Sequence, residues 1–278
     1  MDFPLDESPR VEHPLIDGHA HIDQFAPEAL GPLLERARAA NVGLIVSAGT
    51  TLESCRRTLE LAEAHSGVYA GVGLHPADLT GWVDDAVEGE LRRLAGHPRV
   101  VEWSETGLDY MPGSPKRELQ HDAFRRQIRL AREFGLPLVV HSREADEDTL
   151  RLLAEENAAE TGGAWHYFQG DLRLAERVME LGFFISLAKP LLRLPELQEC
   201  AARVPLNRIV IETDSYPQPF KKNPARRTEP WHLPQVAAKL AELQATDIET
   251  VAAATTANYL RMLGGRIEPP AASAGAAG

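Results

Sequence analysis

The chain has 278 residues, of which 44% are hydrophobic and 25% are charged, an ordinary composition for a soluble globular protein. Its formal net charge of −12 argues against a broad basic surface for nucleic acid, so an anionic substrate would need local cations or metal ions. No run of about 18 apolar residues occurs, and we therefore expect no membrane-spanning segment.

The chain begins with MDFPLDESPR, which lacks the basic start and apolar stretch of a secretory signal, so we expect a cytoplasmic protein. Eight apolar runs, each typical of a buried strand, then follow; they begin at Leu15, Val42, Val68, Val100, Pro137, Gly163, Gly182 and Arg208. Amphipathic stretches between and after them predict helices at Pro27–Ala40, Leu52–Ala64, Glu118–Phe134, Asp146–Glu156, Leu172–Leu181, Leu233–Leu243 and Ile248–Leu263.

Strands that alternate with helices of this length indicate parallel pairing, and eight repeats predict an α/β fold closed into a (β/α)₈ TIM barrel. The sixth and seventh runs are the weakest strand patterns, and an open, doubly wound sheet is the alternative. No GxGxxG turn follows the first strand to favour that alternative. A barrel of about 250 residues fits the length. We expect a single domain over residues 1–265 and a disordered tail over residues 266–278.

Residues that can bind metal lie at the carboxyl ends of five predicted strands, the rim that carries the active site in such barrels. His19 and His21 alternate along the first strand, so both imidazoles project to one side and can chelate one ion. The other four strand ends carry Glu105, His141, His166 and Asp214. Imidazole and carboxylate together suit Zn²⁺ or Mn²⁺ and tolerate Mg²⁺. Six ligands exceed the need of one tetrahedral ion, so we expect two divalent cations that share a carboxylate.

Further polar residues near this rim are candidates for substrate contacts. His75 is predicted to end the third strand. There it would contact substrate or support a metal ligand, or it would have a structural role before Pro76. Arg143 suits a phosphate oxygen, with a salt bridge to a nearby acid as the alternative. The loop after the eighth strand is basic and would bind a nucleic-acid substrate; the alternative is that it is only a solvated surface. Its cations are Lys221, Lys222, Arg226 and Arg227. Glu212 would lie deeper in the barrel, supporting a ligand or binding a further ion.

Eight segments stand in the order IDGHAHID, GVGLHP, ETGLDY, GLPLVVHSREA, WHYFQGD, IETDS, RTEPWHLPQVAAKLA and ATTANYLRML. This combination, spread over roughly Leu15 to Leu263, resembles the TatD family of metal-dependent deoxyribonucleases among the amidohydrolase-like barrels. The resemblance implies a barrel of the metal-dependent hydrolase type. It also implies that one ion is bound by His19, His21, Glu105 and Asp214, and the second by Glu105, His141 and His166, with Glu105 as the bridge.

The chain departs from the family pattern in places that leave the ligands intact but leave the preferred substrate open. Ser104 stands where a glycine is common, Tyr167 where cysteine is usual and Gln169 where serine is usual. The usual Pro-Tyr after Asp214 reads Ser215, Tyr216, Pro217, and Thr228 replaces an asparagine.

Two close cations lower the pKa of a shared water and stabilise the charge that develops on the substrate. Asp214 would accept the water's proton as a general base, so Asp214 and Glu105 are the predicted catalytic residues. The resemblance favours hydrolysis of DNA or another phosphodiester, as in a 3′-5′ exonuclease. An esterase, amidase or aminoacyl-tRNA deacylase on the same barrel is the alternative. A further alternative is a non-catalytic metal-binding protein. The intact ligand set and Asp214 argue against it.

Overall fold

The structure is a computed structural model that describes residues 8–222 and 227–270. One eight-stranded sheet has its strands in chain order, with every neighbouring pair parallel. The strands are β1 (Leu15–Ala20), β2 (Val42–Ala48), β3 (Val68–Gly71), β4 (Val100–Asp109), β5 (Leu138–Arg143), β6 (Gly163–Trp165), β7 (Phe183–Leu187) and β8 (Ile209–Ile211). The α-helices are α1 (Pro27–Ala39), α2 (Leu52–Ala64), α3 (Asp85–Ala95), α4 (Arg117–Phe134), α5 (Asp146–Glu155), α6 (Leu172–Glu180), α7 (Pro195–Ala201), α8 (Leu233–Leu243) and α9 (Ile248–Met262).

The first and last strands meet at a seam. Ala20 and Ser215 form a parallel bridge there. Beside it, the Asp214 amide donates to the His19 carbonyl at 2.9 Å, and the His21 amide donates to the Ser215 carbonyl at 2.7 Å. The sheet is therefore a nearly closed barrel with helices between successive strands. The predicted (β/α)₈ TIM barrel is confirmed, and the doubly wound alternative is excluded.

Several strands end earlier than their apolar runs predict. The third ends at Gly71, so the prediction that His75 ends this strand is wrong. His75 instead precedes a 3₁₀ turn, Pro76–Asp78, and its Nδ1 accepts a hydrogen bond from the Ala77 amide at 3.2 Å. The strands β6 and β8 have three residues each. The polar residues that follow them are consequently held by loops that continue from the barrel.

The predicted helices match the observed ones to within a residue at each end, and the structure adds α3 and α7, which the pattern did not predict. Each of the two lies where an eightfold repeat requires a helix, after β3 and after β7. Among the described residues, none of the helices is long and apolar enough to cross a lipid bilayer.

The last helix, α9, packs against both strands of the seam. Its Tyr259 ring requires a glycine in β1, because a Cβ on Gly18 would lie only 2.5 Å from the ring. The predicted boundary between domain and tail at residue 265 stays a prediction. Residues 1–7 and 271–278 lie outside the described ranges, whereas Ile267 is buried and the Arg266 side chain donates to the carbonyl of Gly135 at 2.9 Å.

Candidate metal centre

The six predicted ligands converge at the carboxyl ends of the strands. Five of them line a cavity of about 1230 Å³, namely His21, Glu105, His141, His166 and Asp214. His19 lies beneath them and is fully buried. The rim position follows from the parallel barrel, which brings the ends of all eight strands to one face.

The first cluster joins the two histidines of β1 to Glu105. The Nε2 atoms of His19 and His21 are 3.4 Å apart, and they lie 3.4 and 3.5 Å from Glu105 Oε2. A tetrahedral cation with ligand bonds of about 2.1 Å holds its ligand atoms about 3.4 Å apart. The three atoms thus have the spacing of one face of such a coordination sphere, and the donor set fits a divalent cation.

The other oxygen of the same carboxylate faces a different group of histidines. Glu105 Oε1 lies 2.7 Å from His141 Nδ1 and 3.5 Å from the Nε2 atoms of His75 and His166. His75 Nε2 is also 3.3 Å from His141 Nδ1, so His75, Glu105 and His141 form a second group with ligand-type spacing. Sequence reasoning placed His75 in a substrate or outer-shell role and missed this arrangement.

Asp214 closes the side of the centre at the seam. Its backbone has φ 53°, a left-handed conformation that aspartate tolerates better than most residues. Its Oδ1 lies 3.4 Å from His21 Nε2, and a third group with ligand-type spacing consists of His19, His166 and Asp214. His166 therefore faces both parts of the centre, whereas the family resemblance assigns it to the second ion alone.

Charge within the centre shifts the protonation of its members. Burial opposes the ionisation of Glu105, but the charges of His75 and His166 and the hydrogen bond with His141 outweigh it and hold its pKa well below the usual range. Burial alone would also lower the pKa of His21, yet Asp214 and Glu105 raise it well above the ordinary value. The carboxylates are consequently ionised at neutral pH, as metal ligands must be.

Each of the four predicted histidine ligands has an oxygen at its second ring nitrogen. His21 Nδ1 is 3.0 Å from the Ala48 carbonyl, His19 Nδ1 is 3.3 Å from Ser104 Oγ, and His141 Nε2 is 3.3 Å from Asp109 Oδ2. Such partners fix the ring orientation of metal-binding histidines. The serine that departs from the family pattern thus lies against a predicted ligand, at a peptide bond to Glu105 that is cis.

Glu212 supplies the fourth of these oxygens. Its Oε1 lies 2.8 Å from His166 Nδ1, a charge contact rather than an aligned hydrogen bond. The same oxygen accepts from the Tyr167 amide at 2.6 Å, and Oε2 accepts from Ser186 Oγ at 2.6 Å. Both oxygens are therefore engaged beneath the centre, an arrangement that favours support of His166 over binding of a further ion.

The predicted substrate residues separate into those at the cavity and those away from it. Arg143 and Lys221 line the cavity, and within the described ranges neither has a carboxylate partner. Lys222 is exposed outside the lining, and the Arg227 guanidinium donates to the carbonyl of Lys221 at 3.3 Å. Arg226 lies outside the described residues. The structure adds lining residues that sequence reasoning did not single out, among them Lys189 and Arg193.

Comparison with known proteins extends over nearly the whole chain. The model of the family described as TatD related DNase matches residues 16–264. The uncharacterized metal-dependent hydrolase YabD of Bacillus subtilis is 34% identical over 255 residues, 89% of this chain and 98% of its own. The 3′-5′ ssDNA/RNA exonuclease TatD of Klebsiella pneumoniae is 32% identical, over 84% of this chain and 90% of its own. The crystal structure of YJJV, a TatD homolog from Escherichia coli, superposes with a TM-score of 0.81 at 30% identity, over 90% and 97% of the two chains.

Proposed function

The chain belongs to the TatD related DNase family of metal-dependent hydrolases, and from that premise we propose that it hydrolyses phosphodiester bonds in DNA at a two-cation centre. The observation that carries the proposal is the position of Glu105, whose two carboxylate oxygens face separate groups of histidines. A single carboxylate so placed suits a bridge between two ions. The exonuclease name of the Klebsiella pneumoniae relative supports a nucleic-acid substrate and a 3′-5′ direction.

One cation would be held by His19, His21, Glu105 and Asp214, and the other by Glu105, His141 and His166, with His75 as a further donor. Such a pair would supply a water of lowered pKa and positive charge for the phosphate oxygens. Zn²⁺, Mn²⁺ and Mg²⁺ are all compatible with imidazole and carboxylate ligands.

Asp214 acts as the general base. Its carboxylate lines the cavity, so it can reach a water there. Burial opposes its ionisation, but the hydrogen bond with His21 and the charge of His166 hold its pKa below the ordinary value. It is therefore ready to take the proton of the attacking water and to move it toward the leaving oxygen. Arg143 and Lys221, which lack carboxylate partners in the described part of the chain, bind phosphate oxygens.

Those unpaired cations also favour a phosphodiester over the uncharged esters and amides that the same centre could cleave. An anionic substrate gains from cations at the mouth of the cavity, whereas a neutral ester or amide gains little from them. A nuclease is therefore a better fit than an esterase, an amidase or a non-catalytic metal-binding protein.

The test uses chelator-stripped protein reloaded with Mn²⁺, Mg²⁺ or Zn²⁺ and single-stranded DNA labelled at either end. We expect mononucleotides to leave from the 3′ end only with metal, and Asp214→Asn to lower the rate by about 100-fold or more. Asp85→Asn, at an exposed residue of α3, is the matched control and keeps the wild-type rate. Metal-loaded protein that cleaves p-nitrophenyl acetate but neither DNA nor bis(p-nitrophenyl) phosphate would contradict the proposal.

A further inference from the structure

Four cations line the cavity without an ion pair to any carboxylate in the described part of the chain: Arg143, Lys189, Arg193 and Lys221. The acidic surface elsewhere pairs its arginines readily. Arg129 and Arg132 of α4, for example, each contact a carboxylate at 2.7 to 2.8 Å. In a chain with a net charge of −12, four such cations grouped at one cavity need a separate explanation.

Lys189 is the least exposed of the four. It begins the 3₁₀ turn Lys189–Leu192 after β7, is half-buried, and its Nζ donates to Thr228 Oγ1 at 3.4 Å. Burial, together with the nearby charges of Lys221 and Arg193, lowers its pKa to about 8. Like charges thus crowd one wall of the cavity, and a bound anion would relieve both their repulsion and the desolvation of Lys189.

These cations follow two neighbouring strands of the barrel. Lys189 and Arg193 follow β7, which carries none of the candidate ligands, and Lys221 lies beyond Asp214 in the segment after β8. The loops after the seventh and eighth strands frequently form a phosphate-binding site in barrels of this type. The scissile phosphate carries one negative charge, which the cations of the centre itself would meet, so this wall is available to another anionic group.

We propose that Lys189, Arg193 and Lys221 form a subsite for a second phosphate of the substrate, adjacent to the one that is cleaved. The inference rests on the proposed function and narrows it. The substrate is a chain with at least two phosphates, and a lone phosphodiester has no second phosphate for this subsite. Lys189 contributes a charge-assisted hydrogen bond to the non-reacting phosphate.

The test compares Lys189→Met and Lys189→Arg on a short oligothymidylate and on bis(p-nitrophenyl) phosphate, which has a single phosphate. We expect Lys189→Met to lower kcat/KM for the oligonucleotide about 10-fold or more and to leave the small diester within about twofold. The slope of log kcat/KM against log salt concentration should weaken by about 0.7. Lys189→Arg should restore most of the oligonucleotide activity. The control is Arg203→Met, an exposed cation between α7 and β8 at the opposite end of the barrel.

The outcomes separate the inference from the function on which it rests. Wild-type protein that cleaves neither substrate overturns the proposed function. If the wild type cleaves both, and Lys189→Met loses activity on both equally, or on neither, the phosphate subsite is overturned while the hydrolase remains. Retained activity on the small diester also shows that the variant is folded. Equal losses for Lys189→Met and Arg203→Met would mean that only net charge matters, and that result also overturns the subsite.

Discussion

Glu105 presents one carboxylate oxygen to each of two groups of histidines. Its side chain is only 4% exposed, so the groups around it, rather than bulk water, determine its charge. An amide of the same shape has one oxygen and no charge, and it cannot serve two cations in the same way.

Glu105→Gln should therefore weaken both metal sites, because the shared negative charge is lost. We expect calorimetric titration with Mn²⁺ to show a large loss of affinity for both ions, and activity to fall by orders of magnitude even with excess metal. Glu53→Gln, at an exposed residue of α2, is the control and should titrate like the wild type. Two ions bound at wild-type affinity with normal turnover would refute the bridging role.

The sequence indicated which candidate ligands lie together better than it indicated which groups orient their side chains. The strand-end pattern and the family motifs brought six candidate ligands to one rim, and the structure places them there. The oxygens that contact the second ring nitrogens of the histidines were harder to predict. A backbone carbonyl such as that of Ala48 has no sequence pattern, and Asp109 reaches His141 only through the pairing of β4 with β5. The position of His75 among the candidate ligands was not predicted, because the strand before it ends at Gly71.

At the scale of elements, alternation of apolar runs and amphipathic stretches was sufficient for the barrel. It overestimated the length of three strands. The predicted runs included the segments after β3, β6 and β8, although strand pairing has ended before these segments begin. It missed α3, which contains Gly89, and α7, which has only seven residues. A local signal was present for α3, since the Asp84 side chain accepts from the Val87 amide at 2.9 Å as an N-cap.

The helix α2 has a comparable cap that can be tested. Thr51 Oγ1 accepts a hydrogen bond from the Ser54 amide at 3.1 Å, which satisfies one of the free donors of the first turn. Thr51→Ala should lower the free energy of unfolding by about 1 kcal/mol. Thr51→Ser keeps the oxygen and should stay close to the wild type. Urea denaturation measures the difference, and equal stability of the alanine and serine variants would show that the cap is unimportant.

A buried acid, Glu102, connects the barrel to its last helix. The Tyr259 hydroxyl of α9 lies 2.5 Å from Glu102 Oε2 and 3.1 Å from the Gly18 carbonyl, yet it has one proton to donate. Both contacts are satisfied if Glu102 is protonated and donates to the tyrosine, which then donates to Gly18. Burial, the largest influence, raises the pKa of Glu102 to about 8 and agrees with this arrangement.

A raised carboxyl pKa makes stability depend on pH. The unfolded chain releases the proton of Glu102 near its ordinary pKa and the folded chain only near pH 8, so stability falls as pH rises between these values. Glu102→Gln should remove this contribution, and the metal-free variant should lose less stability than the wild type between about pH 5 and about pH 8. Asp17, whose pKa burial also raises to about 8, leaves a residual slope.

Urea denaturation at several pH values is the measurement, with Glu60→Gln, at an exposed residue of α2, as the control. If the stability of Glu102→Gln changes with pH in parallel with the wild type, Glu102 is ionised in the folded protein and the assignment of its proton is wrong.

The seam between β1 and β8 has a consequence for how the protein is made. His19 and His21 leave the ribosome early in synthesis, whereas Asp214 and Ser215 emerge only when most of the chain has been translated. Until then β1 has a free edge, and an exposed strand edge can pair with another chain. During translation, one edge of β1 therefore stays unpaired until β8 has been synthesised. Binding of metal at the proposed centre would then be a late step, because Asp214 is translated long after His19 and His21.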